Sequence, residues 1–329
     1  MTLPTSTNLG QIQCAVDILR DVDLPFVLLE KPEIVIPLRA QFQFLERAAR
    51  ETGDACFGAR LGQLVRMKEL SKFGAWVCSA ETLLQAIERG HAGLNVMLQT
   101  STGLSLQRRG SLVRWSIDFL EPETDGRLHN ELLGISYMID TVRTYVGKRW
   151  CPEVVMTTLS AGAPRAGLEQ VFGTNISVGH AVTSFEFDQA LLNCGRAGSS
   201  CARLEVNAPV EPAVPEQDDA LAMIAAVTDL ALYEGYPRVD WVAAKLDISS
   251  RSLQRLLEQQ GTSFRRLKED ALLRRAKSLL GDRGASITEI AFDLGYRDLA
   301  HFTRAFRRWT GRSPTEWREF ARGSPASLL

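Results

Sequence analysis

Long apolar runs and a secretory leader are both missing from this sequence. The longest clearly apolar run near the middle, residues 220–227, is far too short to cross a bilayer as a helix. The first residues contain no basic stretch followed by an apolar one, so no secretory signal is visible. We therefore expect a cytoplasmic protein with no membrane partner.

Catalytic and cofactor-binding motifs are also missing. The chain contains no Gly-x-x-x-x-Gly-Lys-Ser/Thr, no Gly-x-Gly-x-x-Gly, no His-Glu-x-x-His and no Gly-x-Ser-x-Gly. A metal cluster would need ligands from distant segments, because the four histidines are widely separated: His91, His129, His180 and His301. We predict that the protein is not an enzyme and needs no cofactor or metal.

The cysteines show no metal-binding or redox spacing. None of the six belongs to a Cys-x-x-Cys pair or has a histidine nearby, a pattern that predicts buried, reduced thiols. They are Cys14, Cys56, Cys78, Cys151, Cys194 and Cys201. A redox pair of Cys194 and Cys201, which flank a Gly/Ser-rich stretch, is the alternative.

Length and charge indicate two domains. The 329 residues exceed one ordinary domain, and a composition of 45% hydrophobic and 23% charged residues is typical of globular proteins. Residues 220–329 hold 18 Lys and Arg against 13 Asp and Glu, a net charge of +5; residues 1–219 hold the other 20 and 26, a net charge of −6. This division is typical of a DNA-binding module joined to a domain that does not bind DNA. An uneven solvated surface is the simpler alternative.

The strongest pattern is a helix-turn-helix repeat between residues 239 and 314. The two copies align at an offset of 48 before the turn and 49 after it, where Arg255 matches Arg304. The apolar and small residues that align before the turn are Val239 with Ile287, Val242 with Ile290, Ala243 with Ala291, and Leu246 with Leu294. Asp247 and Gly295 occupy the turns, and both types tolerate left-handed backbone.

Capping signals mark the helices around the repeat. Asp218 and Asp219 precede a helix that extends to about Tyr233, and Ser263 precedes a connecting helix over residues 264–280. Ser286 and Glu289 have capping-box spacing, and Asp298 is predicted to cap the second recognition helix. We place Trp309 and Trp317 in the core, because they lie among apolar residues at helical spacing.

This string of residues resembles the DNA-binding domain of the AraC/XylS family of bacterial transcription regulators. The resemblance rests on three motifs: residues 290–296, Ile-Ala-Phe-Asp-Leu-Gly-Tyr; residues 301–309, His-Phe-Thr-Arg-Ala-Phe-Arg-Arg-Trp; and residues 310–314, Thr-Gly-Arg-Ser-Pro. It implies an all-α domain that binds double-stranded promoter DNA and has RNA polymerase as a possible partner. The family usually has a polar pair soon after the second turn, where this chain has Leu299 and Ala300.

The first domain is predicted to be α+β. Helical periodicity covers residues 9–20, 38–52, 55–65, 81–99 and 127–146, and strand alternation covers residues 104–108, 112–119, 154–159 and 183–187. A hairpin is expected at Arg109 and Gly110. Residues 9–193 also resemble the arabinose-binding-like domain of one AraC/XylS branch, with support from residues 171–173 (Val-Phe-Gly), 185–187 (Phe-Glu-Phe) and 191–192 (Leu-Leu).

That resemblance implies an N-terminal effector or dimerisation domain over residues 1–207. Residues 208–217 are predicted to form a stiff, solvated linker, since residues 208–219 hold three prolines and four acids and show no period. Residues 218–329 then form the double helix-turn-helix domain. The partners expected of the first domain are a small-molecule effector of unknown identity and a second copy of the chain. We assign no effector-binding residues; six arginines are candidates for an anionic effector, although each alone fits a surface charge: Arg39, Arg60, Arg66, Arg108, Arg109 and Arg114.

Base-reading residues are predicted on both recognition helices, which lie in the major groove in such domains. In the first copy they are Ser250, Arg251, Gln254 and Arg255; the last three share one helical face. In the second copy Arg304 is the expected base contact. His301 is predicted either to enter the groove or to stay on the solvent-exposed surface. Arg307 and Arg308 are assigned to phosphates or to solvent. In the first copy, a solvated basic face that contacts only phosphates remains the alternative.

The predicted function is therefore a sequence-specific transcription regulator that responds to an effector and reads adjacent major grooves with two recognition helices. The alternative is an architectural DNA-binding protein with a dimerisation domain and no effector. Such proteins tend to be small and strongly basic, whereas this chain carries an acidic domain of about 200 residues. Activation or repression, the promoter and the oligomeric state are left open.

Overall fold

A computed structural model describes residues 6–31, 34–121, 125–160, 162, 164–196, 214–216, 218–282 and 284–323. The chain divides into two compact units, and each is described separately. The first contains Met1–Phe26 and Leu38–Gln217, and the second contains Val27–Pro37 and Asp218–Leu329. No helix among the described residues is long and apolar enough to cross a membrane.

The first unit is a mixed α/β domain built on one five-stranded sheet. Its helices are α1 (Ser6–Asp21), α2 (Leu38–Thr52), α3 (Phe57–Leu64), α4 (Met67–Leu70), α5 (Lys72–Cys78), α6 (Leu83–Met97), α7 (Arg127–Val146) and α8 (Arg165–Phe172). Its strands are β1 (Thr102–Arg109), β2 (Leu112–Phe119), β3 (Val154–Met156), β4 (Asn175–Ser177) and β5 (Thr183–Asp188). The spatial order is β1-β2-β5-β3-β4, and only β3 and β4 pair in parallel. The α+β prediction is confirmed.

Helix α7 forms the centre of the first unit. Its Ile135 and Ile139 are fully buried in the core that also holds Phe185 of β5. Its Glu131 carboxylate, also buried, accepts hydrogen bonds from Thr158 Oγ1 at 2.6 Å and Thr183 Oγ1 at 2.9 Å. A buried carboxylate is stable only when its oxygens are satisfied, so this network ties α7 to the sheet.

The long elements agree with their predicted positions, and several of the short ones were missed. Helices α2 and α7 and strand β2 have the predicted bounds, and β1 and β2 form the expected hairpin, with Gly110 at φ +64°. Strand β3 ends at Met156 instead of Leu159, and α4, α5, α8 and β4 were not predicted. These four missed segments have three to eight residues and show no clear helical or strand period, so their form depends on the core that they contact.

Two predictions for the first unit need correction. Cys56 and Cys78 are buried, and burial raises the pKa of the Cys78 thiol to about 11, but Cys151 is exposed. Cys201 and residues 208–213 and 217 lie outside the described residues, so the redox pair and most of the linker remain predictions. Val214, in the segment expected to be solvated, is 7% exposed and donates its amide to Val96 O at 3.2 Å. Its apolar side chain is removed from water there.

The second unit is helical. Its helices are α9 (Ala220–Ala231), α10 (Val239–Lys245), α11 (Ser250–Gln259), α12 (Phe264–Gly281), α13 (Ile287–Asp293), α14 (Leu299–Thr310) and α15 (Pro314–Gly323). Asp219, Ser263, Ser286 and Asp298 cap helices as predicted, and Ser286 and Glu289 form a capping box. Each cap satisfies a free amide in the first turn of its helix, which explains why the boundaries could be predicted locally.

Helix α12 contributes side chains to both cores of the second unit, and α9 contributes to the first. The first helix-turn-helix core contains Ile224 of α9 and Leu267 of α12, packed against Val242 and Leu253. The second core contains Leu232, directly after α9, together with α12 and α14 residues; its members include Leu272, Ala276, Ile290, Phe302 and Phe306. The two helix-turn-helix motifs therefore share a framework and cannot move independently without disturbing apolar packing. Trp309 and Trp317 pack against the second core.

The two motifs also meet directly at a turn. Asp247 and Gly295 adopt positive φ, +55° and +77°, as predicted for the two turns. A Cβ placed on Gly295 would lie 2.8 Å from the backbone N of Tyr236, in the segment that leads to the first motif. Glycine is required there both by the backbone conformation and by this close approach.

Replacing Gly295 with alanine should destabilise the second unit more than the matched change Gly311→Ala. Gly311 has nearly the same φ, +76°, and no atom within 4 Å of its Cβ position. We expect Gly311→Ala to cost about 1–2 kcal/mol for the left-handed backbone. Gly295→Ala should cost about 1–3 kcal/mol more, because Tyr236 must move. Urea unfolding of the full chain, followed by helical circular dichroism, measures both; equal losses would contradict the close approach.

Candidate nucleic-acid interface

The first recognition helix, α11, presents a polar face opposite its buried side. Leu253 and Leu257 are fully buried, whereas Arg251, Gln254 and Arg255 are exposed. Three of the four predicted residues thus share an open surface, as helical spacing requires. Ser250 is partly buried in the first turn, and the preceding Ser249 is the cap, its Oγ accepting from Ser252 N at 3.0 Å.

The second recognition helix, α14, has the same arrangement with a charged cap. Asp298 Oδ1 accepts from His301 N at 2.7 Å, and this backbone hydrogen bond holds the pKa of Asp298 below its usual value. The His301 ring is exposed, with Nδ1 at 3.3 Å from Asp298 Oδ2. Arg304 and Arg307 are exposed on the side opposite the buried Phe302 and Phe306.

The equivalent arginines of the two motifs are available to a ligand. None of the ion pairs between described residues involves Arg251, Arg255 or Arg304, and each of these side chains faces solvent. A guanidinium without a protein partner can bond O6 and N7 of guanine together or contact phosphate. The exposed arginines give these two helix faces positive charge that suits nucleic acid.

Arg308 differs from the other predicted contacts. Its Nη2 lies 2.9 Å from Glu269 Oε1 on α12, and Arg265 Nε lies 3.4 Å from the same oxygen. Arg308 therefore links the second recognition helix to the connecting helix, a role that the sequence did not reveal. The contact joins residues 39 apart in the chain, so no local spacing could have indicated it.

Sequence reasoning also missed an aromatic site at the junction of the two motifs. Lys268 Nζ lies 4.1 Å from the centroid of the half-exposed Tyr236 ring, and the Tyr236 and Tyr296 rings are 6.5 Å apart. Tyr296 ends the predicted motif, but neither Tyr236 nor Lys268 belongs to it. These contacts reinforce the close approach at Gly295.

Several candidate arginines of the first unit have internal partners. Arg60 pairs with Asp54, Arg66 with Asp140, and Arg114 with Glu186, at 2.5–2.8 Å. Arg108 and Arg109 are exposed near the end of the edge strand β1. Three or more potential metal ligands do not converge anywhere in the described ranges. No set of these arginines forms a recognisable anion site.

Two protein families match this chain. Residues 15–195 match the family described as the arabinose-binding domain of AraC transcription regulator, N-term. Residues 242–319 match a helix-turn-helix domain family, and this range contains both recognition helices.

Individual proteins also resemble the chain. Over 88% of its length it is 25% identical to the uncharacterized HTH-type transcriptional regulator Rv1395 of Mycobacterium tuberculosis, covering 86% of that protein. Over 26% of its length it is 38% identical to the ornithine utilization regulator of Pseudomonas aeruginosa, covering 25% of that protein. The crystal structure of the transcriptional regulator CdpR from Pseudomonas aeruginosa aligns over 97% of this chain and all of its own, at 20% identity and a TM-score of 0.39.

Arg255→Ala and Arg304→Ala should each weaken binding to a selected DNA site by about 1–3 kcal/mol and relax base preference locally, if each contacts a guanine. Binding to scrambled duplex should fall less. Fluorescence anisotropy with duplexes enriched from a random pool by the full-length protein gives both affinities.

Arg308→Ala is the control on α14, the helix that also carries Arg304. It removes one positive charge that is already paired with Glu269, so affinity for enriched and scrambled duplex should fall by similar, small factors and base preference should stay intact. Equal losses on both duplexes for Arg255→Ala and Arg304→Ala would instead show that these residues contact only phosphates.

Proposed function

This chain belongs to the AraC family of transcriptional regulators, and we propose that it reads promoter DNA with α11 and α14 in adjacent major grooves. It is a DNA-binding regulator rather than an enzyme. The observation that supports the finer proposal is the equivalence of Arg255 and Arg304, exposed at matching positions of the two recognition helices. Each would contribute one guanidinium to the bases of its own groove.

The shared framework supports simultaneous reading by both helices. Helix α12, with 18 residues, is about 27 Å long, close to the ~34 Å rise of one turn of DNA. It is tied to α9 by Arg274 and Asp229, whose Nη2 and Oδ1 atoms are 2.9 Å apart. A rigid connector lets the second helix bind without a further loss of orientational freedom.

The first unit, in this proposal, binds a small-molecule effector or a second copy of the chain. Its net charge of −6 over residues 1–219 makes DNA contact unfavourable, and its independent core gives it a separate role. The further partners are double-stranded promoter DNA and RNA polymerase. An architectural protein without an effector is the rival; it would bind selected and random duplex with similar affinity and the same salt dependence.

Residues 218–329 should fold and bind DNA without the rest of the chain. Both cores of the second unit are built from residues after 220, so the fragment keeps its buried apolar surface. We expect a cooperative unfolding transition and a shift of enriched duplex, with weaker affinity than the full chain if the latter is a dimer. A folded fragment that binds no DNA would contradict the assignment; circular dichroism and electrophoretic mobility shift report the two properties.

An effector of the first unit should stabilise it and also change the output of the whole protein. At a hundredfold excess over the dissociation constant the stabilisation should be about 2.7 kcal/mol. Metabolites are screened by thermal shift, and each hit is tested in promoter binding and in vitro transcription, because an effector must favour one functional state. If every hit stabilises the chain without altering either readout, the effector role is wrong and dimerisation is the better account.

A further inference from the structure

One of the differences between the exposed faces of the two recognition helices replaces an arginine with an alanine. With the offset of 49 residues, the central exposed positions Arg251 and Arg255 of α11 correspond to Ala300 and Arg304 of α14. The positions lie four residues apart, one turn of helix, on the side opposite the buried leucines and phenylalanines. Where the first helix presents a guanidinium in its N-terminal turn, the second presents a methyl group.

The surroundings of Ala300 disfavour a phosphate as its neighbour. The Asp298 carboxylate accepts a hydrogen bond from His301 N at 2.7 Å, so a negative charge already lies at this end of α14. A phosphate brought to the same turn would be repelled by that charge. In α11 the equivalent cap is the neutral Ser249, so this restriction applies only to the second helix.

The surface next to Ala300 is apolar as well. Leu299, one residue earlier, keeps 38% of its area exposed, although large apolar side chains are usually withdrawn from water. The N-terminal residues of a recognition helix are those that contact base edges in the major groove. The one apolar group that a base presents there is the C5-methyl of thymine.

We propose that Ala300, with Leu299 beside it, reads the C5-methyl group of a thymine in the site of the second recognition helix. The inference rests on the proposed function, since it requires α14 to lie in the major groove. Contact between the Ala300 Cβ and the thymine methyl removes apolar surface from water, whereas cytosine offers no methyl group at this place. The two helices would then differ in specificity, the first favouring guanine through Arg251 and Arg255, and the second favouring thymine next to an Arg304 contact.

The geometry also predicts where this thymine lies. Four residues of helix advance about 6 Å, and base pairs are spaced about 3.4 Å, so the thymine should fall within about two base pairs of the position read by Arg304. The base pair contacted by Arg304 is identified independently, because it is the one at which Arg304→Ala loses its base preference. Arg255→Ala marks the half-site of the first helix in the same way.

Replacing single thymines by uracil tests the proposal, because uracil lacks only the methyl group. Duplexes enriched from a random pool by the full-length protein are synthesised with each thymine changed singly to uracil, and their affinities are measured by anisotropy. We expect a roughly fourfold loss at one thymine near the Arg304 position, as for the burial of one methyl group. Ala300→Gly should abolish that difference, whereas Ala244→Gly, at an exposed position of α10, should preserve it.

A gain-of-function variant gives a second measurement. Ala300→Arg recreates the arrangement of the first helix and should shift the preference at this base pair from thymine towards guanine. Two results would overturn the inference and leave the proposed function intact. In the first, the protein binds specifically but no uracil substitution near the Arg304 base pair weakens binding. In the second, the loss of affinity caused by uracil persists in Ala300→Gly. Failure of the full-length protein to enrich any duplex would overturn both.

Discussion

Burial of α12 side chains in both C-terminal cores is the interaction on which the candidate interface depends. Each recognition helix alone presents only a few polar groups, and two weak contacts add up only when their separation is fixed before binding. Leu267 in the first core and Leu272 in the second belong to the same helix, so the packing of one motif orients the other. The close approach of Gly295 to the Tyr236 backbone further restricts the movement of one helix-turn-helix motif relative to the other, which a single connecting helix would still permit.

On this framework some exposed arginines pair with acids of neighbouring helices, whereas others have no ion pair among the described residues. Arg274 and Arg308 pair with Asp229 and Glu269 and join helices of the second unit. Exposed pairs of this kind contribute little energy each, so their effect is mainly to orient side chains. Arg255 and Arg304 have no such partner, and their charge is left for a ligand.

Local rules explain how much of the fold could be predicted. Helix α7 and strand β2 have strong periodicity, and the Ser286 capping box and the Asp298 cap are encoded within four residues, so their bounds followed from the sequence. Short elements such as α8 and β4 carry no such signal. Val214 was expected in solvent because its neighbours are prolines and acids, yet it packs in the first unit, where distant apolar residues decide its burial.

The sequence by itself determined the family resemblance and the repeat. It also determined the left-handed turns at Asp247 and Gly295 and the arginines that share a helical face. All of these features depend on residues that are close together in the chain. Only the tertiary structure decided which cations remain available. The sequence left Arg308 between phosphates and solvent, but the fold brings Glu269 to within 2.9 Å of it and leaves Arg304 without an ion pair among the described residues. Ion pairing depends on distance in space, and residues 39 positions apart meet only after the chain has folded.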